Sequence, residues 1–463
     1  MASGDGTREG VDHFREYPLC EALLKRRSRR FSRGMTIRGG ALEYDSDAEP
    51  YPLTEEEEAV LAFAACGFTG PALGDWEYME ETMGNSFASF TGRTVSSPDA
   101  VHTVSVFVIN DDGAWLARRP QDLSSEDRAA VAGLARDGEF VEAWRRMRVQ
   151  VADERVAPPS ELPQNIPPNQ WSMHAEGTTY FLPVYEQTQL MLNVLLGGLA
   201  EDFGMFFVDD RRMFQPAGVG EHAESKGGHL HDDPEEGLTI PISMFERTAG
   251  EMCSVEQGMV MQNLGLACQA MGLAGFPHNC QFDPAAWFEA LDFRMQEMRS
   301  SDYMSVPWPV SWMMRLTGAD EPIRYPVGLE RDGEVLLKAY TPPYYDSMED
   351  AIRSLVEEKF GEGGVYDGRP EGYEGREPNT GWKHPREVAE QVSGVSERAL
   401  QAAIDHCEYI WENHGRFPVN FAPFHTFVGF QVGHADEGFY ERYYRHGTLD
   451  ETHRNHMERW HAE

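Results

Sequence analysis

The stretch that most constrains the fold runs from Ser254 to Phe276 and reads SVEQGMVMQNLGLACQAMGLAGF. Ser254 and Gln257 have the spacing of a capping box, which marks the start of a helix. The apolar residues that follow recur at helical intervals: Val255, Met259, Leu264, Leu266, Ala267, Ala270 and Met271. Gly272 is a typical C-cap residue, and Gly275 opens the following loop. The pattern predicts one long, buried helix.

Composition limits the class of protein before any motif is considered. The 463 residues are 41% hydrophobic and 11% aromatic, which is typical of a folded chain with a sizeable core. The cysteines form no C-x-x-C pair, so we expect neither a structural zinc site nor a disulfide framework. The N-terminus has no apolar signal-peptide region, and no run is long enough to span a membrane. A cytoplasmic protein is therefore expected.

The charge is strongly negative. There are 77 acidic against 40 basic residues, for a formal net charge of −37. A field of that sign repels nucleic acids and anionic membranes, so neither is expected as a partner. The acidic, lysine-poor composition is typical both of a GC-rich genome and of a salty cytoplasm, and it does not indicate a reaction.

One dense basic cluster stands out against this acidic background. It comprises Arg26, Arg27, Ser28, Arg29 and Arg30. Several guanidinium groups and a hydroxyl can bind a phosphate through charge-assisted hydrogen bonds. The alternative is a solvated patch that pairs with the abundant carboxylates.

Two strings resemble the nitroreductase-like flavoprotein family. QNLGLACQAMGLAGF resembles its central helix, and RRSRRF resembles its N-terminal R-x-S-x-R/K motif. The resemblance implies an α+β fold with an antiparallel-rich central sheet, flanked by helices around a long buried central helix. It also implies FMN as cofactor, usually in the interface of a homodimer.

The same resemblance implies roles for individual residues. Arg26, Arg27 and Ser28 would hold the FMN phosphate and ribityl chain, and Arg30 would reach the pyrimidine edge of the ring. The loop after the central helix would face the flavin through Gly275 and Phe276. A cation near the pyrimidine edge would stabilise the reduced flavin. No catalytic side chain is assigned.

A third, looser match lies in residues 93–99. This segment resembles a flavin-contacting loop of the SagB-type azoline oxidase branch, with Ser97 at the motif serine and Ser96 in place of its proline. Without the resemblance, it is a polar loop that enters a core strand. The family's usual basic pair for the phosphate is not found in residues 324–360.

The domain prediction has three parts. Residues 17–360 would form the flavin-binding domain with long insertions, 361–385 a linker, and 386–463 a helical extension rich in histidine and aromatic residues. His453 and His456 would share a helix face. A metal or heme role for this extension is the alternative to packing on the core or on a second subunit.

No metal site is predicted. His229, His231 and Asp232 in the polar loop 211–237 have the right chemistry for metal ligands, but such short clusters are usually solvated.

These features predict an FMN-dependent oxidoreductase that transfers hydride or electrons between a reductant and a small organic substrate by a ping-pong mechanism. NAD(P)H is one candidate donor, although no G-x-G-x-x-G fingerprint follows a strand. The second hypothesis is a SagB-type FMN oxidase or dehydrogenase that modifies a peptide-derived or small-molecule ring. The third is a nitroreductase fold that has lost FMN and serves as a binding or scaffold protein.

Overall fold

The computed structural model describes residues 5–75, 88–162, 165–278, 285–362, 364–366, 381–384, 387–388, 391–392 and 394–461. Most of the predicted linker, 361–385, lies outside the described residues. Among those described, no helix has the length and apolar character needed to cross a membrane.

The described helices are α1 (Asp5–Glu16), α2 (Leu19–Lys25), α3 (Glu55–Cys66), α4 (Ser125–Asp137), α5 (Phe140–Met147), α6 (Thr188–Gly198), α7 (Ile242–Met271), α8 (Ala285–Ala290), α9 (Ser300–Tyr303), α10 (Trp308–Thr317), α11 (Met348–Phe360), α12 (Glu397–His414), α13 (Glu437–Tyr443), α14 (Glu451–Arg454) and α15 (His456–His461).

The described strands are β1 (Thr36–Ile37), β2 (Tyr44–Asp45), β3 (Phe68–Pro71), β4 (Thr91–Arg93), β5 (Val104–Asn110), β6 (Gly113–Ala117), β7 (Arg148–Ala152), β8 (Thr179–Glu186), β9 (Phe206–Asp209), β10 (Gln215–Pro216), β11 (Thr239–Pro241), β12 (Ala274–His278), β13 (Arg294–Arg299), β14 (Pro322–Arg331), β15 (Glu334–Lys338), β16 (Phe424–His425) and β17 (Gly429–Gly433).

The largest sheet is antiparallel throughout. Its strand order is β12-β17-β8-β5-β6-β7, and β16 adds a short pairing with β8. Helix α7 packs against α3, β8 and β12, so one long helix lies along the sheet. The result is a mixed α/β architecture with antiparallel sheets and flanking helices, as the sequence predicts.

Helix α7 differs from its prediction in where it starts. It begins at Ile242, twelve residues before the predicted cap, and ends at the left-handed Gly272 as expected. The hydroxyl of Ser254 donates back to the carbonyl of Gly250, and Gln257 donates to the carbonyl of Pro183. The predicted capping box is therefore wrong, because both side chains bond elsewhere inside a continuing helix.

The apolar stripe of α7 is also only partly buried. Leu264, Ala267 and Met271 are buried, whereas Val255 is 57% exposed and Met259 is 36% exposed. The helix therefore buries one face against the sheet and leaves apolar side chains on another.

The C-terminal region, residues 386–463, is helical in α12 to α15, but it also contains strands that the sequence analysis did not predict. Residues 424–425 and 429–433 supply β16 and β17 to the central sheet. Strand β17 lies between β12 and β8, with Phe276 opposite Gln431 and Phe430 opposite Phe181. One strand of the C-terminal region, β17, is thus an internal strand of the core sheet.

Three other local patterns in the sequence make predictions that can be compared with the structure: the capping-box spacing of Thr54 and Glu57, a turn over residues 110–113, and a helical pattern over residues 139–152. The capping box of Thr54 and Glu57 is present at the start of α3, and the Asn110–Gly113 turn joins β5 to β6. The helix predicted over residues 139–152 stops at Met147, because residues 148–152 form β7 beside β6.

Candidate functional site

The arginine segment predicted to bind FMN lies against the strand that follows α7. It leaves the C-terminal end of α2, where Arg26 is the C-cap, and Arg26 packs over Gly265 of α7. The backbone N–H of Arg29 donates to the carbonyl of Gly275 at 3.2 Å. The structure therefore joins the two segments that carry the family resemblance.

Arg30 is held by several contacts. Its guanidinium lies 4.9 Å from the ring centroid of Phe276 and 5.3 Å from that of Trp171, within cation–π range. Its Nη2 donates to Asn169 Oδ1 at 2.7 Å and to the carbonyl of Pro168 at 3.2 Å. Its Nε is buried without a hydrogen-bond partner among the described residues. Burial lowers the pKa of Arg30, but a guanidinium stays charged at neutral pH.

A cavity of about 530 Å³ opens beside this segment and is called the arginine cavity below. It is lined by Arg27, Ser28, Arg29, Arg30, Phe31, Ile37, Leu42, Trp171, Phe439, Tyr440, Tyr444, Arg445, His446, Gly447 and Thr448. None of these described lining residues is acidic, although the chain carries a net charge of −37. The local field therefore favours an anion.

The C-terminal region supplies one wall of the arginine cavity. Arg29 donates through Nη2 to the carbonyl of Thr448 at 2.9 Å, and Phe31 stacks on Phe439 with ring centroids 4.1 Å apart. This wall brings Arg445 and His446 to the cavity. The sequence analysis did not single out Arg445 or His446. The composition of the C-terminal region indicates basic and aromatic side chains, but it does not indicate where they lie in the fold.

Ser97 lies at a different place. Its hydroxyl donates to Glu256 Oε2 at 2.9 Å and accepts from the backbone N–H of His102 at 2.7 Å. Glu256 is buried on α7 and also accepts from Arg93 and Thr103. The loop 93–99 is therefore fastened to α7 through Glu256, and none of its residues lines the arginine cavity.

Gly275 and Phe276 lie behind the arginine segment and do not line the cavity. Gly275 is closely packed, since an added Cβ would lie 2.6 Å from Cys268 Sγ and 2.8 Å from Phe430 Cε1. Phe276 does not line the cavity, but its ring lies 4.9 Å from the guanidinium of Arg30, which does. Of the seven predicted cofactor residues, Arg27, Ser28 and Arg30 line one cavity, whereas Arg26, Ser97, Gly275 and Phe276 do not.

The donor set fits the phosphate end of FMN. Arg27 and Arg445 offer guanidinium groups and Ser28 a hydroxyl around an acid-free cavity, which suits a phosphate dianion. Trp171 and Tyr444 add aromatic faces. The buried, unpartnered Nε of Arg30 is a further donor at this wall.

A buried histidine lies beside the site. The ring of His278 stacks on Phe276 with centroids 4.8 Å apart and contacts Tyr180 edge-on. Burial, reinforced by the nearby charge of Arg30, lowers the pKa of His278 to about 4. His278 is therefore neutral at physiological pH and adds no charge behind Arg30.

A second cluster joins α3 to the C-terminal region. Glu57 Oε1 lies 3.2 Å from His434 Nε2, 2.8 Å from His456 Nε2 and 3.1 Å from His461 Nε2. One ligand atom from each of these four residues lies within 4.8 Å of the other three. We call this group the histidine quartet. Burial alone would raise the pKa of Glu57, but the histidines hold it well below its usual value.

The other histidines singled out in the sequence do not form such a cluster. His453 and His456 belong to separate short helices, α14 and α15, so they do not share a helix face. His229 bonds to the carbonyl of Leu199, and His231 lies 3.1 Å from Glu224. His229, His231 and Asp232 therefore do not converge on one point, whereas the quartet does.

Comparisons with known proteins give little support to any family. No family model matches the chain, and no curated protein matches it. Among the solved structures that match is a candidate nitroreductase of Ralstonia eutropha JMP134, at a TM-score of 0.29 and 12% identity, over 60% of this chain and 76% of that one. That likeness is too weak to establish a shared fold.

Proposed function

We propose that the protein is an FMN-dependent oxidoreductase acting on a small organic substrate. The observation that carries the proposal is the contact between the two motif segments, Arg29 N–H to Gly275 O and Arg30 over Phe276. These segments lie far apart in the chain, and their contact next to an acid-free cavity supports a common role.

The proposal gives each cavity residue a separate task. Arg27, Ser28 and Arg445 would hold the phosphate. Arg30, fixed by Asn169 and by its stacking on Phe276, would present a positive charge to the ring. The chemistry that bound FMN supplies is hydride and electron transfer, so the protein contributes binding, orientation and field.

We also propose that the protein is a homodimer that buries exposed apolar residues of α2 and α7. Val255 and Met259 are exposed on α7, and Leu23 and Leu24 of the adjoining α2 are 56% and 65% exposed. Exposed apolar patches mark protein–protein interfaces, and α2 contacts α7. A second copy is the expected partner, since family members are usually homodimers.

A flavin-free binding protein is the second candidate. Arg29 already bonds to Thr448 and Arg30 to Asn169, so two of the cluster's guanidiniums have partners without FMN. Ser97 is bound to Glu256 away from the cavity. The SagB-type oxidase is favoured by the resemblance of loop 93–99 alone, and the contact of Ser97 with Glu256 adds no support to it.

Two experiments separate these hypotheses. Titration of the apoprotein with FMN, followed by quenching of flavin fluorescence, tests the cofactor; saturable binding with one FMN per chain is expected. Anaerobic addition of NADH or NADPH to the flavin complex then tests the donor. Bleaching by a nicotinamide indicates a reductase, whereas bleaching only by an organic substrate indicates an oxidase. Absence of FMN binding would favour the binding protein.

A further inference from the structure

The histidine quartet has the geometry of a metal centre. Three imidazole Nε2 atoms surround one oxygen of a buried carboxylate at 2.8, 3.1 and 3.2 Å. We propose that Glu57, His434, His456 and His461 bind a divalent first-row transition metal ion, with Zn²⁺ as the reference ion. This inference does not rest on the flavin proposal, because the quartet and the arginine cavity share no residue.

The protonation pattern of the histidines favours a cation at the centre. His434 Nδ1 lies 2.8 Å from the carbonyl of Tyr51, and His456 Nδ1 lies 2.8 Å from the carbonyl of Met271. A carbonyl only accepts, so each Nδ1 carries the hydrogen. In the neutral rings, both Nε2 lone pairs then point toward Glu57, which is also an acceptor. A metal ion between them turns this repulsion into coordination.

His456 gives independent support. Its Nε2 lies 2.8 Å from Glu57 Oε1, yet it is buried and makes no aligned hydrogen bond. A nitrogen this close to a carboxylate oxygen, without hydrogen-bond geometry, is expected when both atoms point at a third centre. Metal-bound histidines usually donate their other ring N–H to a carbonyl or carboxylate, as His434 and His456 do here.

Charge balance is compatible with a metal ion at this buried site. Without a metal, His434 and His456 could donate to Glu57 only as charged rings, because each Nδ1–H is already used on a carbonyl. One divalent ion with three neutral imidazoles and one carboxylate leaves a single positive charge. The other oxygen of Glu57 accepts from Thr54 N–H at 2.7 Å, so the carboxylate is oriented before any metal arrives.

The ligand types narrow the choice of metal. Imidazole nitrogens suit zinc, copper, iron and nickel better than calcium or magnesium. Metal–ligand distances of about 2.0–2.1 Å place neighbouring ligand atoms about 3.3–3.4 Å apart in a tetrahedral site, a little more than the nitrogen–oxygen separations of 2.8 to 3.2 Å. The four ligand atoms span at most 4.8 Å, so only small side-chain movements are needed.

The metal would join parts of the chain that are remote in sequence. Glu57 is in the first turn of α3, His434 follows β17, and His456 and His461 are in α15. A cavity of about 410 Å³ contacts His434 and His456 and gives the ion a route inward. The bound ion would fasten the C-terminal region to α3, so metal binding should stabilise the fold.

The test is a metal titration of the full-length protein. After chelator treatment and dialysis, the protein is titrated with Zn²⁺ against a competing chromophoric chelator, and bound metal is counted by mass spectrometry. One tight equivalent and a higher melting temperature with Zn²⁺ are expected. His456→Ala and His461→Gln should each weaken binding by more than about 100-fold, beyond the loss of an outer-shell partner.

A matched control distinguishes the quartet from other histidines. His231→Ala removes a histidine from the polar loop and should leave both stoichiometry and affinity unchanged. If the quartet variants fail to fold, Co²⁺ absorption of the wild-type protein tests the same point, because intense visible bands report nitrogen and oxygen ligands in a tetrahedral site. Absence of tight Zn²⁺ binding and of these bands in the wild type, or unchanged affinity in folded quartet variants, would overturn the proposal.

Discussion

The backbone N–H of Arg29 donates a hydrogen bond to the carbonyl of Gly275 at 3.2 Å. This bond ties the arginine segment to β12, directly after the long helix α7. It positions Arg30 over Phe276 and leaves Arg27 and Ser28 at the arginine cavity. The flavin proposal depends on this local arrangement.

Loss of the phosphate donors should weaken FMN binding. The double substitution Arg27→Ala and Ser28→Ala removes two cavity donors whose side chains are exposed, so the fold should persist. Each hydrogen bond to a charged group contributes about 1.5–3 kcal/mol, so the Kd for FMN should rise at least about 100-fold.

The control for this pair is Lys25→Ala. Lys25 forms an exposed pair with Glu21 at 2.8 Å and does not line the cavity. Its loss should leave the Kd unchanged, measured by fluorescence quenching. An unaltered Kd in a folded double variant would remove the assignment of the phosphate site.

Arg30 should set the flavin potential. In Arg30→Gln, the positive charge near the ring is lost, so the reduced flavin is less stabilised and the midpoint potential should fall by tens of millivolts, where about 30 mV corresponds to 1.4 kcal/mol. Arg30→Lys keeps the charge and should shift the potential less. Spectroelectrochemical titration measures both; equal potentials in wild type and Arg30→Gln would place Arg30 away from the ring.

The exposed face of α7 should mediate dimerisation. Introducing two carboxylates with Val255→Asp and Met259→Asp would place like charges opposite each other in a two-fold interface, so a monomer is expected. Light scattering after size-exclusion chromatography gives the mass. Met213→Asp is the control, because Met213 is a 95% exposed residue outside α2 and α7. A monomeric wild type, or an unchanged dimer in the double variant, would contradict the interface.

Two glycine substitutions test the packing behind the site. Gly275→Ala would place a Cβ 2.6 Å from Cys268 Sγ and should destabilise the protein by about 1–3 kcal/mol. Gly133→Ala lies in open space within α4 and should stabilise it by about 0.5–1 kcal/mol. Denaturant unfolding measures both changes. A neutral Gly275→Ala would show that β12 is not closely packed on α7.

Local signals were predictable where a few neighbouring residues decide the structure. The capping box of Thr54 and Glu57 forms as expected, because both partners lie within one turn. The same four-residue spacing at Ser254 and Gln257 is misleading, because the helix continues through it and both side chains find other acceptors. A capping pattern alone does not distinguish the start of a helix from its interior.

Contacts between distant segments were not predictable from one sequence. The short strand β17 gives no strong local signal, yet it lies inside the central sheet between β12 and β8. Likewise, the capping role of Glu57 is sufficient to account for this residue at the start of α3. The neighbouring sequence therefore does not indicate that its other oxygen lies beside His434 and His456. The sequence shows that the C-terminal region is rich in histidine, but it does not show that Glu57 of α3 is the partner of these histidines.

The most direct measurement of the central claim is the absorption spectrum of the purified protein, recorded before and after heat release and after incubation with FMN. The account predicts flavin bands from bound FMN, or their appearance as shifted, protein-bound bands once FMN is added. A protein that stays colourless after FMN is added and removed by gel filtration would contradict it.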